Sequence, residues 1–295
     1  MNIIGHKKIY LFFAFILVSA SVASILVFGF RYGIDIVGGT LWQIKFIENK
    51  VSAEALNQFI ASELKVEGTQ VASGSTESLI IRAKEISEEN HQEYLAKINS
   101  EFGAIEELRF ETIGSVIGQE LRDKAIKAFI LVLFAISLYI AFVFRKVSRP
   151  VSSWKYGVVT LITLFHDAII PIGVFAFLGY LYGVEIDINF IVAVLVVMGF
   201  SVHDTIVVFD RIRENLKFGS SSKDEFNAVV NASVNQTIAR SINTSLTLLF
   251  VLFAIYFLGA ITLKYFILTI IIGTVVGTYS SIFIASPLLT LWRRR

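Results

Sequence analysis

Apolar and polar positions follow one another in long blocks, and six apolar blocks approach the roughly 20 residues that cross a bilayer as a helix. We predict transmembrane helices at residues 9–30, 128–144, 156–180, 188–209, 238–263 and 265–292. The first block has no charge over 22 positions. That exceeds the roughly 7–15 apolar residues of a signal peptide, so the block is expected to remain as an anchor. The pattern predicts a polytopic α-helical membrane protein.

Residues 31–124, between the first two spans, follow a different pattern in which strand-like stretches alternate with amphipathic helical ones. Strands are predicted at 36–47, 69–73, 79–83 and 105–112, with a turn at Gly74–Ser75, and helices at 52–65 and 87–102, with Ser52 and Glu54 at the start of the first. The order β-α-β-β-α-β matches the ferredoxin-like unit, so we predict one small extracytoplasmic α+β domain. A helix at 114–124 is expected to lead into the second span.

Composition and charge divide the chain into the same parts. Only 17% of residues are charged, whereas soluble domains have about 25%. Residues 31–120 hold 8 Lys and Arg against 15 Asp and Glu, and the remainder is basic. The short loops on one side of the spans are rich in Lys and Arg: Lys7, Lys8, Arg145, Lys146, Arg149, Lys155, Arg211, Arg213, Lys217, Lys223 and Arg293–Arg295. The positive-inside rule places both termini, residues 1–8 and 293–295, in the cytoplasm. Cysteine is absent, which excludes disulfides and thiolate metal sites.

Charged and titratable side chains interrupt three of the predicted spans, where each costs roughly 2.5–3.5 kcal/mol of insertion free energy. They are His166, Asp167, His203, Asp204 and Arg240. At 1.5 Å per residue, all five can lie in the cytoplasmic half of the bilayer. A buried carboxylate that gains and loses a proton near an arginine suits a proton path. The residues alone leave two other interpretations open: a structural Asp204–Arg240 ion pair, and a metal site formed by the two His-Asp pairs.

Two further features have structural interpretations. His91 lies in the charged stretch EISEENHQEY and is expected on a solvated helix face. The stretch GIDIVGG after the first span predicts a turn that needs glycine torsions at Gly33, Gly38 and Gly39, with Asp35 as its cap.

The last three spans carry local packing and capping signals. Gly273-x-x-x-Gly277 predicts close helix packing. Ser222 and Glu225 form a capping-box pattern, so the helix that carries Arg240 is expected to begin before the membrane. The end of the fourth span is predicted to be a solvated helix end, formed by Asp210, Arg211, Arg213 and Glu214.

Four stretches together resemble a known family: YGIDIVGGT after the first span, IGSVIGQELRDKA before the second, HD in the third, and GFSVHDTIVVFDRIREN in the fourth. They resemble the SecD/SecF family of the bacterial Sec translocon, which is related to proton-driven exporters of the resistance–nodulation–division type. The single short outside segment is similar to the SecF type rather than to SecD. Two positions depart from the family pattern, because DIVGG stands where DFTGG is usual and His203 stands where Asn is usual.

The resemblance implies a protein-transport subunit of the bacterial cytoplasmic (inner) membrane. It implies pairing with SecD, association with the SecYEG channel and YajC, and use of the proton motive force to pull or release a translocating polypeptide. It implies proton transport by Asp204 and Arg240, with less defined roles for His166, Asp167 and His203. For His203 we favour a retained hydrogen bond over a titrating role.

The sequence also indicates what the protein should lack, and it leaves two other function classes open. No enzymatic activity, cofactor, bound metal or nucleic-acid partner is expected. Two other function classes remain: a proton-driven small-molecule exporter half of related fold, and a membrane enzyme with a metal at the His-Asp pairs.

Overall fold

The computed structural model describes residues 1–66, 69–73, 78–145, 151–216 and 222–292. The chain forms two compact units: a membrane unit, Met1–Arg31 with Lys127–Arg295, and an α+β unit, Tyr32–Ile126. The predicted turn and several basic loop positions lie outside the described residues, as does the side chain of Lys223: Gly74–Ser75, Lys146, Arg149, Lys217 and Arg293–Arg295.

Helices dominate the described chain, and one sheet lies in the α+β unit. The helices are α1 (Lys7–Phe28), α2 (Ile34–Val37), α3 (Ala53–Phe59), α4 (Glu88–Phe102), α5 (Ser115–Val143), α6 (Ser153–Tyr182), α7 (Ile188–Leu216), α8 (Lys223–Leu258), α9 (Lys264–Ser280) and α10 (Ser286–Leu291). The strands are β1 (Gly39–Phe46), β2 (Gln70–Ser73), β3 (Ser78–Ala83) and β4 (Ile105–Ile113). A π-helical turn follows α3 at Ile60–Leu64, and another joins α9 to α10 at Ser281–Ala285.

Within the described chain, six helical segments are long and apolar enough to cross a membrane, which confirms the predicted number. In α6, α7 and the α9–α10 segment, half or more of the most apolar stretch is buried inside the unit. In α1, α5 and α8 most of that stretch is exposed. Exposed apolar helices suit lipid or a partner helix, so α6, α7 and α9 form the centre of the bundle.

Small residues bring α9 close to α7. A side chain added at Gly273 would collide with Val197, and a Cβ added at Gly277 would lie 3.1 Å from the Cβ of Ser201. The predicted close-packing role of the two glycines is therefore confirmed. The contact fixes Ser201 against α9, and with it the next inward-facing position of α7, Asp204.

Helix α8 begins before the predicted span. Ser222 Oγ accepts a hydrogen bond from Glu225 N at 3.1 Å, and the Glu225 carboxylate accepts one from Ser222 N at 3.0 Å. This confirms the predicted capping box. The helix runs for 36 residues. At 1.5 Å per residue it is about 54 Å long, whereas the hydrocarbon core is about 30 Å thick. Residue 238, the predicted start, is therefore in the interior of a longer helix.

The residues before α1 are held against α8. Asn231 Oδ1 accepts hydrogen bonds from Ile3 N at 2.8 Å and from Ile4 N at 3.2 Å, and its Nδ2 donates to Met1 O at 3.0 Å. Asn235 Nδ2 donates to the same carbonyl at 2.8 Å. Ile3 and Ile4 are buried. The amino-terminal segment is thus packed into the bundle rather than extended from it.

The α+β unit is a four-stranded antiparallel sheet with the strand order β2-β3-β1-β4. With α3 and α4 in their positions along the chain, this is the predicted ferredoxin-like fold, which is confirmed. Ser52 Oγ accepts a hydrogen bond from Ala55 N at 3.1 Å and so caps α3 as predicted. The core joins the sheet to both helices through large apolar side chains, among them Trp42, Ile44, Leu56, Ile81 and Ile98.

The glycine-rich stretch GIDIVGG, residues 33–39, has a structure that differs in part from the predicted one. Ile36 and Val37, predicted to open the first strand, form the end of the one-turn helix α2, and β1 begins at Gly39. Gly38 and Gly39 have φ values of 77° and 121°, so both need glycine as predicted. Gly33 has an ordinary φ of −72° and occupies the N-cap position, so Asp35 lies within the turn and is not its cap.

A close approach adds a second requirement for glycine at this motif. A Cβ on Gly38 would lie 2.6 Å from the Cα of Ser115, and one on Gly118 would lie 2.8 Å from Gly38 N. The start of α5 therefore crosses the motif backbone to backbone, and any side chain at Gly38 would separate them.

His91 is buried, so its predicted solvated position is wrong. Its ring stacks on Phe110 with centroids 3.6 Å apart and meets Trp42 edge-on at 5.0 Å. Glu107 Oε2 lies 2.6 Å from His91 Nε2 and accepts a second hydrogen bond from Trp42 Nε1 at 2.7 Å. Hydrogen bonds from Gln92 and His91 lower the pKa of Glu88. His91 belongs to the core because it lies one helical turn before the apolar stripe of α4.

Candidate functional site

Two carboxylates lie inside the membrane unit. Asp167 of α6 is fully buried, and Asp204 of α7 is 2% exposed. His166 is also buried beside Asp167. Burying a charged group without partners is costly, so the partners of each carboxylate decide what it can do.

Asp167 joins three helices. His166 Nδ1 lies 2.8 Å from Asp167 Oδ1 and shares a hydrogen bond with it. Asp167 Oδ2 accepts hydrogen bonds from Ser280 Oγ of α9 at 2.6 Å and from Ser201 Oγ of α7. Pro171, four residues later, has no N–H for the Asp167 carbonyl. The side chain of Asp167 therefore ties α6, α7 and α9 together at one point.

Asp204 has far fewer partners. Its Oδ2 has no hydrogen-bond partner in the described chain, and the Thr278 hydroxyl of α9 is the hydrogen-bonding group that reaches its carboxylate. Thr278 Oγ1 is hydrogen-bonded at 2.5 Å to Ser245 Oγ of α8. The carboxylate thus has an oxygen that can take up a proton and a hydroxyl pair beside it that can pass one on.

Arg240 does not meet Asp204. It is exposed, and no ion pair joins the two among the described residues. The interpretation as a structural Asp204–Arg240 ion pair is therefore wrong for this arrangement of the helices. Successive residues of a helix point about 100° apart, and the inward position of α8 belongs to Ser241. Arg240 instead lines a polar cavity of about 330 Å³ between α7 and α8, with Val207, Asp210, Arg211, Glu214, Gln236 and Thr237.

His203 points away from the bundle. It is exposed and forms no hydrogen bond among the described residues, so the retained hydrogen bond that we favoured is not formed within this chain. The next residue, Asp204, is buried because the helical turn directs the two side chains to different sides.

The predicted solvated end of α7 is confirmed. Arg213 Nη2 lies 2.5 Å from Asp210 Oδ1, and Arg211 Nη1 lies 2.5 Å from Glu214 Oε2. Both pairs join neighbouring turns of one helix and are partly exposed. Pairs of this kind contribute little to stability.

The two His-Asp pairs do not converge. His166 and Asp167 contact each other, whereas His203 and Asp204 diverge. In the described part of the chain no three His, Asp or Glu side chains form a group that could hold a metal ion.

A row of buried hydroxyl groups on α8 was not foreseen from the sequence. Ser233, Thr237, Ser241 and Ser245 recur at every fourth position and are all buried. Their spacing is a helical signal that the apolar pattern conceals, because Ser and Thr count as weakly polar in a long hydrophobic run. The row faces α7 and α9 and leads toward Asp204.

Six spanning helices, a small ferredoxin-like unit after the first, and a buried, underpartnered carboxylate define a polytopic membrane transport subunit. Two family profiles match the chain: "Protein export membrane protein SecD/SecF, C-terminal" over residues 93–295, and the "SecD/SecF GG Motif" over residues 23–46. The chain belongs to the SecD/SecF family of protein-export membrane proteins.

Named relatives agree with this assignment. The protein translocase subunit SecF of Thermobaculum terrenum is 42% identical over 100% of this chain and 95% of its own. The protein translocase subunit SecDF of Thermus thermophilus is 36% identical over 95% of this chain and 37% of its own. The crystal structure of SecDF from that organism superposes with a TM-score of 0.84 at 33% identity, covering 99% of this chain and 38% of SecDF. SecDF in its super-membrane-facing form gives 0.69 over the same shares. The chain therefore spans about two fifths of SecDF.

Proposed function

We propose that the chain is a SecF-type accessory subunit of the Sec protein-export machinery. With SecD it uses the proton motive force to promote translocation and release of polypeptides across the bacterial cytoplasmic membrane. The observation that carries this proposal is the buried Asp204 carboxylate with one free oxygen, in a chain of the SecD/SecF family. The relatives are named as protein translocase subunits, which favours protein export over small-molecule export. The role is transport rather than catalysis.

SecD is the partner that the membrane unit fits. In SecDF the matching part is 38% of one chain, so the other part of that protein stands where a separate SecD would pair. In addition, polar side chains on neighbouring faces of α7 and α8 are exposed, namely His203, Arg240, Asn243, Thr244 and Thr247. Polar groups on a spanning helix are costly in lipid and are usually covered by other helices. This face is the proposed contact with SecD.

Asp204 is the proposed proton carrier. An unpaired carboxylate in a buried site is costly as an anion, so the proton-bearing form suits the present arrangement. Arg240 is the second proposed member, on the wall of the polar cavity. A shift of α7 against α8 that brings the guanidinium to the carboxylate would favour the anion and release the proton. Proton uptake and release are then coupled to helix movement.

Asp167 and His166 receive a different proposed role. Asp167 already accepts hydrogen bonds from three side chains on three helices, which suits a fixed point better than a carrier. The helices that it ties, α6, α7 and α9, are those that present Asp204 and Thr278 to each other. We assign His203 no part in proton transfer.

We also propose an orientation in the membrane and further partners for the subunit. Both termini lie in the cytoplasm and the α+β unit lies outside, as the basic loops indicate. We further propose association with the SecYEG channel and YajC, and contact of the α+β unit with the moving polypeptide; membership of the SecD/SecF family supports this part of the proposal.

A carboxylate exchange tests the proposal. Asp204→Asn and Asp224→Asn are compared in vesicles that contain this chain, SecD and SecYEG, with and without an imposed pH gradient. Asp204→Asn should assemble with SecD but lose the gradient-dependent part of translocation, whereas Asp224→Asn, which changes an exposed carboxylate in the first turn of α8 outside the polar cavity, should keep it. Full stimulation of the Asp204→Asn complex would refute the proposal.

A further inference from the structure

Four buried hydroxyl residues form one face of α8. Ser233, Thr237, Ser241 and Ser245 are each at most 5% exposed. Positions four apart share a helix face and lie about 6 Å apart along the axis. We call these four residues, together with Thr278 of α9, the hydroxyl stripe.

Unpartnered oxygens mark the stripe as more than a packing surface. Ser241 Oγ in the stripe, Asp204 Oδ2 beside Thr278, and Thr274 Oγ1 one turn from Thr278 have no hydrogen-bond partner in the described chain. All three residues are at least nine-tenths buried. Buried polar atoms without a protein partner are where bound water is usually found. Ser241 differs in this respect from Ser233, Thr237 and Ser245, whose hydroxyl groups each donate a hydrogen bond to a carbonyl of α8.

One end of the stripe opens to a polar cavity. Thr237 lines the cavity of about 330 Å³ that also holds Arg240, Asp210 and Glu214. Ser233, one turn before Thr237, accepts a hydrogen bond from Asn215 Nδ2 at 2.8 Å near the end of α7. This end therefore lies on the side of the bundle where α7 leaves the membrane and α8 enters it.

The other end reaches Asp204. Ser245 and Thr278 share a hydrogen bond of 2.5 Å, and Thr278 reaches the Asp204 carboxylate. A groove of about 270 Å³ passes this hydroxyl pair, and its other lining residues are mainly apolar, including Ile242, Leu246 and Leu249. An apolar lining disfavours water there, so the step between α8 and α9 depends on the two hydroxyls themselves.

We propose that the hydroxyl stripe is the proton path between Asp204 and the polar cavity, with a water molecule bound at Ser241. This proton path rests on the proposed function, and it identifies the side of the bundle through which the Asp204 proton leaves. Protonated Asp204 gives its proton to Thr278 Oγ1, whose own proton passes to Ser245 Oγ. The Ser245 proton passes to the water at Ser241, which becomes hydronium and delivers one proton through the water beside Thr237 to the cavity. Each hydroxyl and the water lose one O–H bond and gain one, so they are regenerated, Asp204 is left as the carboxylate, and one proton reaches the cavity.

Proton flux through the complex with SecD tests the path. The complex is placed in liposomes with a pH-sensitive dye inside, and the rate of proton entry is measured after a pH jump. Ser241→Ala and Thr278→Val remove one hydroxyl each at nearly constant volume. Each should slow proton entry by about tenfold or more, as expected when a hydrogen-bonded step of the barrier is lost. Thr278→Ser keeps the hydroxyl and should restore most of the rate.

A matched control tests whether the loss of any buried hydroxyl on α9 slows proton entry. Thr269→Val removes a buried hydroxyl of the same helix α9, whose one hydrogen bond among the described residues is to Tyr265 O, and should leave the rate unchanged. Asp204→Asn must abolish proton entry, since otherwise the proposed function itself fails. If Asp204→Asn abolishes entry while Ser241→Ala and Thr278→Val leave it unchanged, the function stands and the hydroxyl stripe is not the path. A Thr278→Ser rate as low as that of Thr278→Val would also overturn the proposal.

Water access gives a readout that does not depend on flux. The chain has no cysteine, so Ser241→Cys and Thr269→Cys each introduce one thiol, in a complex with a cysteine-free SecD. A small charged methanethiosulfonate reagent reacts with hydrated thiols and should label Ser241→Cys but not Thr269→Cys. Labelling of Thr269→Cys as fast as that of Ser241→Cys would contradict the proposal.

Discussion

Asp167 offers the sharpest test of what the buried charges do. The change is Asp167→Ala, compared with Asp167→Asn, which keeps one acceptor oxygen. In the native bundle the carboxylate accepts from His166, Ser201 and Ser280. After truncation, Ser280 Oγ keeps its second contact to Gly277 O at 3.0 Å, but His166 and Ser201 lose the partner given by Asp167.

The magnitude follows from these lost partners. Side-chain hydrogen bonds between membrane helices average about 0.6 kcal/mol, so the two that join Asp167 to α7 and α9 give about 1 kcal/mol as a lower bound. Two buried donors left without a partner at about 1–3 kcal/mol each raise the expected loss for Asp167→Ala to about 2–6 kcal/mol. Asp167→Asn should lose less than half of that, because its amide oxygen still accepts from one serine and its volume is unchanged.

Reversible unfolding of the purified complex in mixed detergent micelles measures the loss, and proton entry into liposomes measures function. Asp167→Asn should keep proton entry close to the native rate, since Asp167 is a fixed point rather than a carrier. Ser201→Ala in both the native and the Asp167→Ala background isolates their pairwise coupling. Native stability with abolished proton entry in Asp167→Asn would refute the reasoning, because it would make Asp167 a proton carrier.

Two predictions concern the α+β unit. Gly38→Ala should lower the free energy of unfolding by at least about 1–2 kcal/mol, because φ is 77° and the new Cβ meets Ser115. Gly114→Ala, where the added Cβ has only ordinary contacts at 3.4 Å, is the matched control, and equal hydrogen-exchange protection in both would contradict the prediction. His91→Ala should lose about 2–4 kcal/mol from one charged hydrogen bond and one ring stack. Gln92→Ala, exposed on the same helix, should lose under about 0.5 kcal/mol in the same exchange assay. Similar losses in both variants would contradict the buried position of His91.

The fold could be predicted because each helix or strand has its own pattern in the sequence. Six apolar blocks predict six spans, and the alternation between residues 31 and 124 predicts the ferredoxin-like order, because burial of a whole face is visible in spacing. The capping box at Ser222 and the close-packing pair Gly273 and Gly277 are also local signals, and all are found in the structure.

The site depends on rotation between elements, which spacing does not show. Arg240 and Ser241 are adjacent in sequence, yet α8 directs only Ser241 inward because of where it packs on α7 and α9. The burial of His91 was missed for a different reason. Its position continues the stripe of Tyr94, Leu95 and Ile98 by one turn, but the charged residues around it conceal that spacing.

The amino-terminal segment has a consequence for biosynthesis. Ile3 and Ile4 bond to Asn231, a residue that is synthesised 228 and 227 positions later. Ile3 and Ile4 therefore have no partner until four spanning helices have been made and α8, the fifth, has begun. Loops of this length close slowly, so we expect closure of the bundle to be among its last assembly steps. Before α8 is made, Ile3 and Ile4 lack the partner that they have in the folded bundle, and we expect this segment to be accessible to proteases.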